Sequence, residues 1–526
     1  MVSSTIALAL TVATLVIFTG IGVWFSRGKV ESVEDLITAR NATGEGQMSA
    51  TLIASVMGVW ILLSAPEAGA LYGIAAVIGY GIGEAVPMLA YSRLGPRIRE
   101  LIPEGHSLTE YAYARYGGAM YAFVIVVSVL YMFVFLAAEL TGISLALNHV
   151  AGIPQWQTAV LVGGFVLLYT GYGGLRASIF TDTIQTMVIL PLLVLSVAAV
   201  ILTLGGPGAI HQGVVEANAT LLDPGFVPGV RFGIALVFAV LGAELVNQTW
   251  WQRIYAATDS GVLERGFRTA TVANGLILVL ATLLGVVAVG NADVVTQLGS
   301  ENYNAGIAFF VLLEGVFGEW LVLGVLLLAL TLVMSTADTL FNALSSLVTA
   351  DLPRLLNDPD DRTLRLGARA VTVVVAVAAI AVSLRARSVL RLFFVADLLG
   401  AAVGFPLVYG LFTGRLSGPG ALASSIIGLA VGSAFFPFPF GLHGMVDGLL
   451  GGALPAPDAT YLLPFASAFL VSTVLALAAA RLSTDEFDLS RLSREIRRLD
   501  EPVPDGGTAP ETGRQPQTED TTEVSE

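Results

Sequence analysis

Apolar and polar positions in this chain alternate on the scale of whole membrane crossings. Thirteen apolar stretches, at about 5–25, 49–73, 76–98, 119–147, 157–172, 180–204, 230–252, 269–291, 319–350, 367–384, 392–413, 418–437 and 460–481, are separated by segments that carry most of the charge. Most are close to the ~20 residues a helix needs to cross a bilayer. The first lacks the basic start of a signal peptide, and its positive charges, Arg27 and Lys29, follow the apolar run. It reads as a retained helix. The pattern predicts an all-α polytopic membrane protein of about 13 transmembrane helices.

One of these stretches is not uniformly apolar. Leu332–Ser346 reads L-V-M-S-T-A-D-T-L-F-N-A-L-S-S, and on a helix Ser335, Thr339, Asn342 and Ser346 share a face. Asp338 lies one turn from Ser335, beside that stripe. A charge at mid-bilayer costs roughly 2.5–3.5 kcal/mol on insertion scales, so Asp338 is expected to face the bundle interior or a wet cavity. Serine and threonine also tie membrane helices together without any transport role. The whole stripe with its acid favours an ion or solute pathway.

Two other stretches look broken. In Met48–Gly73, Gly58, Pro66 and Gly69 interrupt a helical run. Unwound backbone in a membrane survives where it is buried in protein or lines a cavity, and in secondary transporters it holds the driving cation. The second candidate break is Gly242–Gln248, G-A-E-L-V-N-Q. Five stretches separate the two, the offset that an inverted five-helix repeat produces. Between them, Tyr169–Gln185 reads Y-T-G-Y-G-G-L-R-A-S-I-F-T-D-T-I-Q. Its Gly-Gly suggests a tight turn, and Asp182 is either the cap of the following helix or an added cation ligand.

Composition narrows the chemistry. Of 526 residues 55% are hydrophobic and 13% charged, about half the charge of a soluble domain. The absence of cysteine excludes disulfides and thiolate chemistry. His106, His149, His211 and His443 are all assigned to loops, so no buried imidazole relay is expected. A net charge of −14 argues against nucleic acid as a partner and suits a halophilic source. With the N-terminus outside and the C-terminus inside, all but four of the 26 basic residues (Arg231, Arg385, Arg387 and Arg391) fall on the cytoplasmic side. The 205–229 loop is expected outside the cell, with a short surface helix in Asn304–Val316. A cytoplasmic helix is expected around Arg491–Arg498, and a disordered tail from Pro502. No nucleophile–base pair, metal cluster or nucleotide loop is visible, so no enzyme is expected.

These motifs taken together resemble the sodium:solute symporter family. The resemblance rests on S-R-G-K-V-E-S-V-E-D-L, the second stretch, Y-T-G-Y-G-G-L…T-D-T-I-Q, N-Q-T-W-W-Q-R at Asn247–Arg253, and M-S-T-A-D-T. It implies a LeuT-type core of two inverted five-helix repeats at 45–415, after an extra N-terminal helix at 1–30. Two C-terminal helices at 416–482 and an acidic, largely disordered cytoplasmic tail at 483–526 would follow. It further implies a Na⁺ site formed by Ala54, Met57 and Leu332 carbonyls with the Ser335 and Thr336 hydroxyls. Ser335 and Thr336, three and four residues after Leu332, meet one point on a helix. Asp182 and Asp338 are candidates for an additional ion site. Trp60, Ser64, Asn247 and Gln248 are candidates for binding solute.

The proline-permease branch carries an acid where this chain has Val56, and Thr249 replaces the gating tyrosine of the sugar branch. The W-Q-R ending and the Arg97–Gly117 loop also resemble the urea/polyamine permeases. The expected function is therefore Na⁺-coupled symport of a small polar organic solute across the cell membrane, without an organic cofactor. Proton coupling through Glu139 or Glu244 is the alternative within transport, and Glu67 and Glu84 are further intramembrane acids. A facilitative channel or a transporter-like sensor is the alternative outside it.

Overall fold

The computed structural model describes residues 2–28, 37–291, 305–355, 361–386, 388–437 and 442–498. Among them all regular structure is helical, apart from one isolated bridge between Thr43 and Ala257. Most of the S-R-G-K-V-E-S-V-E-D-L loop, Asn304 and the tail from Pro502 lie outside the described residues, as does Arg387.

The chain begins with α1 (Ser4–Ser26), then α2 (Glu45–Val56), a 3-10 turn (Val59–Leu62) and α3 (Ser64–Leu101). Next come α4 (Leu108–Tyr116), α5 (Gly118–Ala151), α6 (Gln155–Thr203) and α7 (Gly206–Asn218). The second half holds α8 (Val227–Leu245), α9 (Gln248–Ala256), α10 (Ser260–Val289), α11 (Ala308–Val316) and α12 (Glu319–Leu355). It closes with α13 (Asp361–Ser383), α14 (Val389–Tyr409), α15 (Gly418–Phe435), α16 (Leu442–Leu449), α17 (Leu462–Leu482) and α18 (Leu492–Glu495). Ten described helical segments are long and apolar enough to cross a membrane, and Gln155–Leu168 and Ala370–Ser383 are shorter apolar helices.

Glycines mark where adjoining crossings join or touch. α3 turns at Gly73 and α6 at Gly174, where φ is 67° and 59°, a region open to glycine at no steric cost. α3 packs on α8 and α10, α12 on α6, and α14 on α8. Between α3 and α8 the backbones touch: a Cβ at Gly79 would sit 2.2 Å from the Gly233 Cα. Small residues allow this approach where no hydrophobic force drives membrane helices together.

Several local expectations change. The 205–229 segment is not a bare loop. Pro207 starts α7 at a position where its missing N–H costs nothing, and a 3-10 turn at Ala219–Leu222 follows. Its polar spacing hid the helix. His106 does precede α4, but it is buried and faces Glu110 at 3.0 Å. The other three histidines sit on helices, in α5, α7 and α16. Asp182 caps nothing, because α6 resumes at the Gly174 turn and carries it two helical turns inward.

Candidate functional site

Both breaks form, the first at Met57–Gly58 and not at Pro66 or Gly69, which lie inside α3, and each is held by one acid. α2 ends at Val56, and the backbone is extended at Gly58 before the 3-10 turn. The freed N–H of Val59 donates to Glu139 Oε2 of α5 at 2.8 Å. Gly58 leaves room for this carboxylate: a Cβ would lie 2.0 Å from Glu139 Oε1 and force it to shift. The Trp60 indole covers the freed Val56 carbonyl at 3.0 Å. At the second break, between α8 and α9, Glu244 takes the Tyr131 hydroxyl at 3.0 Å and the Asn247 amide at 2.9 Å. It also accepts the Trp250 indole N–H. Tyr91 closes the Glu244 carbonyl at 3.0 Å. Unwound backbone is thus satisfied at each break, as burial in a membrane demands.

The polar face of α12 meets the first break. Ser335 Oγ lies 3.2 Å from the Ala54 carbonyl and 2.6 Å from Asp182 Oδ1. Its single proton goes to the nearer, charged acceptor, which leaves the hydroxyl lone pairs facing the α2 end. Thr336 Oγ1 is buried with no hydrogen-bond partner among the described residues. An orphan hydroxyl at this depth fits a cation ligand, since its oxygen is the only hard donor it offers. Of the five residues expected to hold Na⁺, Ser335 thus touches the broken helix and Thr336 keeps its oxygen uncommitted.

Asp182 stands at the centre of a denser cluster. Thr51 donates to its Oδ2 at 2.6 Å, and Arg253 Nη2 lies 3.4 Å from the same oxygen. The same Nη2 reaches Ser55 Oγ at 2.9 Å and Thr339 Oγ1 at 2.8 Å. Arg253 was expected in a cytoplasmic loop; it is fully buried on α9. The four-residue periodicity of Q-T-W-W-Q-R was the available signal, because it places Arg253 one turn from Thr249 on a helix that the loop assignment cut short. Asp338 points elsewhere, accepting from Ser178 at 2.7 Å and Thr181 at 3.3 Å. The two acids proposed for an extra ion site thus take different hydroxyl donors while both lie within electrostatic reach of Arg253.

A cavity of about 40 Å³ opens beside this arrangement, between α3, α5, α8, α9, α12 and α14. Trp60, Tyr80, Phe135, Trp250 and Phe393 give it aromatic walls. Glu84, Glu244, Asn247, Thr336, Thr339 and Asp397 give it polar ones. Trp60 and Asn247, both expected at the solute, are in its wall. Ser64 and Gln248 are not: Ser64 donates to the Trp60 carbonyl at 3.1 Å. Gln248 bonds the His106 carbonyl and Ser346 Oγ, each at 2.9 Å. Asp397 escaped the sequence reading, although a lone acid in V-A-D-L-L-G-A-A meets the same criterion that singled out Glu84.

Residues 36–428 match the model of the sodium:solute symporter family. The chain belongs to that family. A spermidine transporter of Candida albicans is 28% identical over 386 residues, covering 72% of this chain and 70% of its own length. The sodium/proline symporter of Escherichia coli is 26% identical over 446 residues, covering 81% and 87%. A solved substrate-bound, outward-open Na⁺-coupled sialic acid symporter superposes with a TM-score of 0.72 at 18% identity, over 92% of this chain and 99% of that one. The fold of this symporter-family chain is accordingly of the LeuT type, with its two broken helices at Val56–Leu63 and Leu245–Gln248.

Proposed function

We propose that this symporter-family protein couples the entry of Na⁺ to uptake of a small polar organic solute across the cell membrane, by alternating access. The ion would be held by the Ala54, Met57 and Leu332 carbonyls and the Ser335 and Thr336 hydroxyls, a neutral cage that needs no catalytic base. The observation that carries this is the approach of Ser335 to the Ala54 carbonyl at 3.2 Å, which joins the broken helix to α12. A cation bound there ties the two repeats together, so its occupancy biases the bundle between states.

Orientation follows from charge. Arg93, Arg97, Arg99 and Arg115 gather on the last turns of α3 and on α4, and Arg265 and Arg268 on the first turns of α10. The positive-inside rule assigns this end to the cytoplasm, with the N-terminus outside and the C-terminus inside. The core at 45–415 would carry transport, flanked by α1 and by the two crossings at 416–482.

One Na⁺ moving down about 100 mV contributes about 2.3 kcal/mol, and a tenfold gradient about 1.4 kcal/mol more. That sum sustains a gradient on the order of several hundred-fold for a neutral solute. The test is uptake into proteoliposomes at fixed membrane potential, with Na⁺ replaced by choline. Uptake should collapse in choline, and Ser335→Ala and Thr336→Ala should each raise the Na⁺ concentration for half-maximal rate. Uptake indifferent to Na⁺ but driven by a pH gradient would transfer the coupling to protons. Glu139 would then be the first residue to replace, because its Oε1 has no partner among the described residues.

A further inference from the structure

Two acids in the cavity are not used by the protein. Glu84 on α3 is 3% exposed and Asp397 on α14 is 6% exposed, and both line the cavity. Among the described residues neither makes a hydrogen bond or an ion pair. Glu244, the third cavity acid, differs: Tyr131, Asn247 and the Trp250 indole all donate to it. A buried carboxylate without partners is costly, and such groups are normally paired, hydrogen-bonded or neutralised. No lysine, arginine or histidine is present in the cavity wall. Arg253 lies behind the wall, not in it: its Nη2 bonds Ser55 and Thr339, which line the cavity, and faces Asp182. When ionised, the two carboxylates have no countercharge in the cavity wall and draw it from what enters.

The aromatic walls point to the same class. Trp60 stacks on Tyr80 with centroids 6.0 Å apart and meets Phe393 edge-on at 5.6 Å. Such surfaces attract cations through their negative faces and cover a short alkyl chain equally well. A solute bearing a carboxylate would meet three acids and no fixed positive group, a repulsive arrangement that rejects it by charge. The volume of about 40 Å³ has room for about three waters at ~10–15 Å³ each, so a slender solute is favoured over a bulky one.

We propose that Glu84 and Asp397 are the countercharges of an organic ammonium site, and that the transported solute is a short aliphatic amine, best a diamine. This deepens the symport reading and rests on it for the transport step, but not for binding. Each carboxylate accepts N–H bonds from one ammonium group while the alkyl segment lies against Trp60 and Phe393. Neutral urea can donate to the same oxygens without neutralising them. Proline can offer its ammonium only together with a carboxylate.

The experiment is a binding titration of the purified full chain in nanodiscs with Na⁺ present, reading calorimetric heat and the change in tryptophan fluorescence, to which Trp60 and Trp250 in the cavity wall contribute. The ligands are putrescine, methylammonium, urea and proline. Putrescine should bind more tightly than methylammonium, and urea and proline should show no saturable binding. Glu84→Gln and Asp397→Asn should each weaken putrescine at least tenfold. Their Na⁺-dependent thermal stabilisation should stay at the wild-type level, which shows that they are folded with the ion site intact. Saturable proline or urea binding without putrescine binding overturns the proposal and leaves the symport reading standing. Unchanged putrescine affinity in both variants overturns it as well. Glu84-dependent amine binding without any Na⁺ response would instead remove the Na⁺-coupled reading and keep the site.

Discussion

Arg253 and Asp182 form a fully buried ion pair, 3.4 Å apart, directly behind the serine that faces the broken end of α2. The pair is unevenly satisfied. Asp182 takes hydroxyls from Thr51 and Ser335 as well as the guanidinium, whereas Arg253 Nε and Nη1 have no partner among the described residues. The guanidinium therefore acts as a tethered cation where the sequence suggests an additional free one.

Removing that tethered charge should open the position to Na⁺. Losing one member of a buried pair costs about 3–5 kcal/mol when nothing replaces it. In choline, Arg253→Gln should melt well below the wild type. Raising Na⁺ should then recover stability more steeply than in the wild type, because an extra bound cation adds its own stabilisation. Melting temperature against Na⁺ concentration is the measurement. Parallel curves for the two proteins would show that Asp182 gains no ion.

Asp182→Asn tests the orientation of the Ser335 hydroxyl. The carboxylate fixes the proton on its own side, and charge-assisted hydrogen bonds contribute about 1.5–3 kcal/mol. An amide in its place can turn its NH₂ towards Ser335 and compete for the same lone pairs. Half-saturating Na⁺ should rise on the order of tenfold, equivalent to about 1.4 kcal/mol. Asp338→Asn should change it far less, because Asp338 accepts from Ser178 and Thr181 instead. Equal shifts in Na⁺-dependent uptake by the two variants would refute the assignment.

The polar stripe on α12 was readable because a helix repeats at 3.6 residues, so four hydroxyl and amide positions fell on one face without knowledge of any neighbour. Ser335, Thr339 and Ser346 do face α2, α6 and α9. The breaks were readable through Gly58 and through the polar run at Glu244–Gln248. What the stripe faces was not. Arg253 was assigned to a loop because a charged residue after an apolar stretch ordinarily marks the membrane surface. Its burial depends on Asp182, 71 residues earlier in the chain. Ser64 and Gln248 resemble solute-binding positions by motif, yet Ser64 bonds back to the Trp60 carbonyl four residues earlier and tertiary contacts take up Gln248. Local pattern carries periodicity, and pairing between distant acids and bases is set by packing.

The contact between Gly58 and Glu139 predicts an asymmetric mutational response. A methyl group at position 58 would collide with Glu139 Oε1 at 2.0 Å, so Gly58→Ala must displace either the carboxylate or the extended backbone. Overpacking of this kind costs about 1–3 kcal/mol. Glu139→Gln keeps an acceptor for the Val59 N–H and should be tolerated, whereas Glu139→Leu leaves that donor buried and unmet. The thermal stability of detergent-solubilised protein should therefore fall in the order Gln, then Leu, at position 139. A leucine variant as stable as the glutamine one would show that the N–H finds water instead.

Gln248 joins three elements at the end that charge assigns to the cytoplasm. Its amide donates to the His106 carbonyl and to Ser346 Oγ at 2.9 Å each, and its carbonyl accepts the Leu108 N–H at 2.9 Å. These bonds hold α9 against the start of α4 and against α12. An inward opening that parts these elements would break at least part of this set. Each such bond contributes about 0.5–1.5 kcal/mol, so Gln248→Ala should enlarge the inward-open population several-fold to tenfold or more. The chain has no cysteine, so Ser346→Cys provides a clean reporter. Its reaction with a membrane-impermeant maleimide applied to the cytoplasmic face should be several-fold faster in the Gln248→Ala background than with Gln248 retained. Bound Na⁺ and solute should slow it in both. Equal labelling rates in the two backgrounds would mean that Gln248 packs the bundle without latching it.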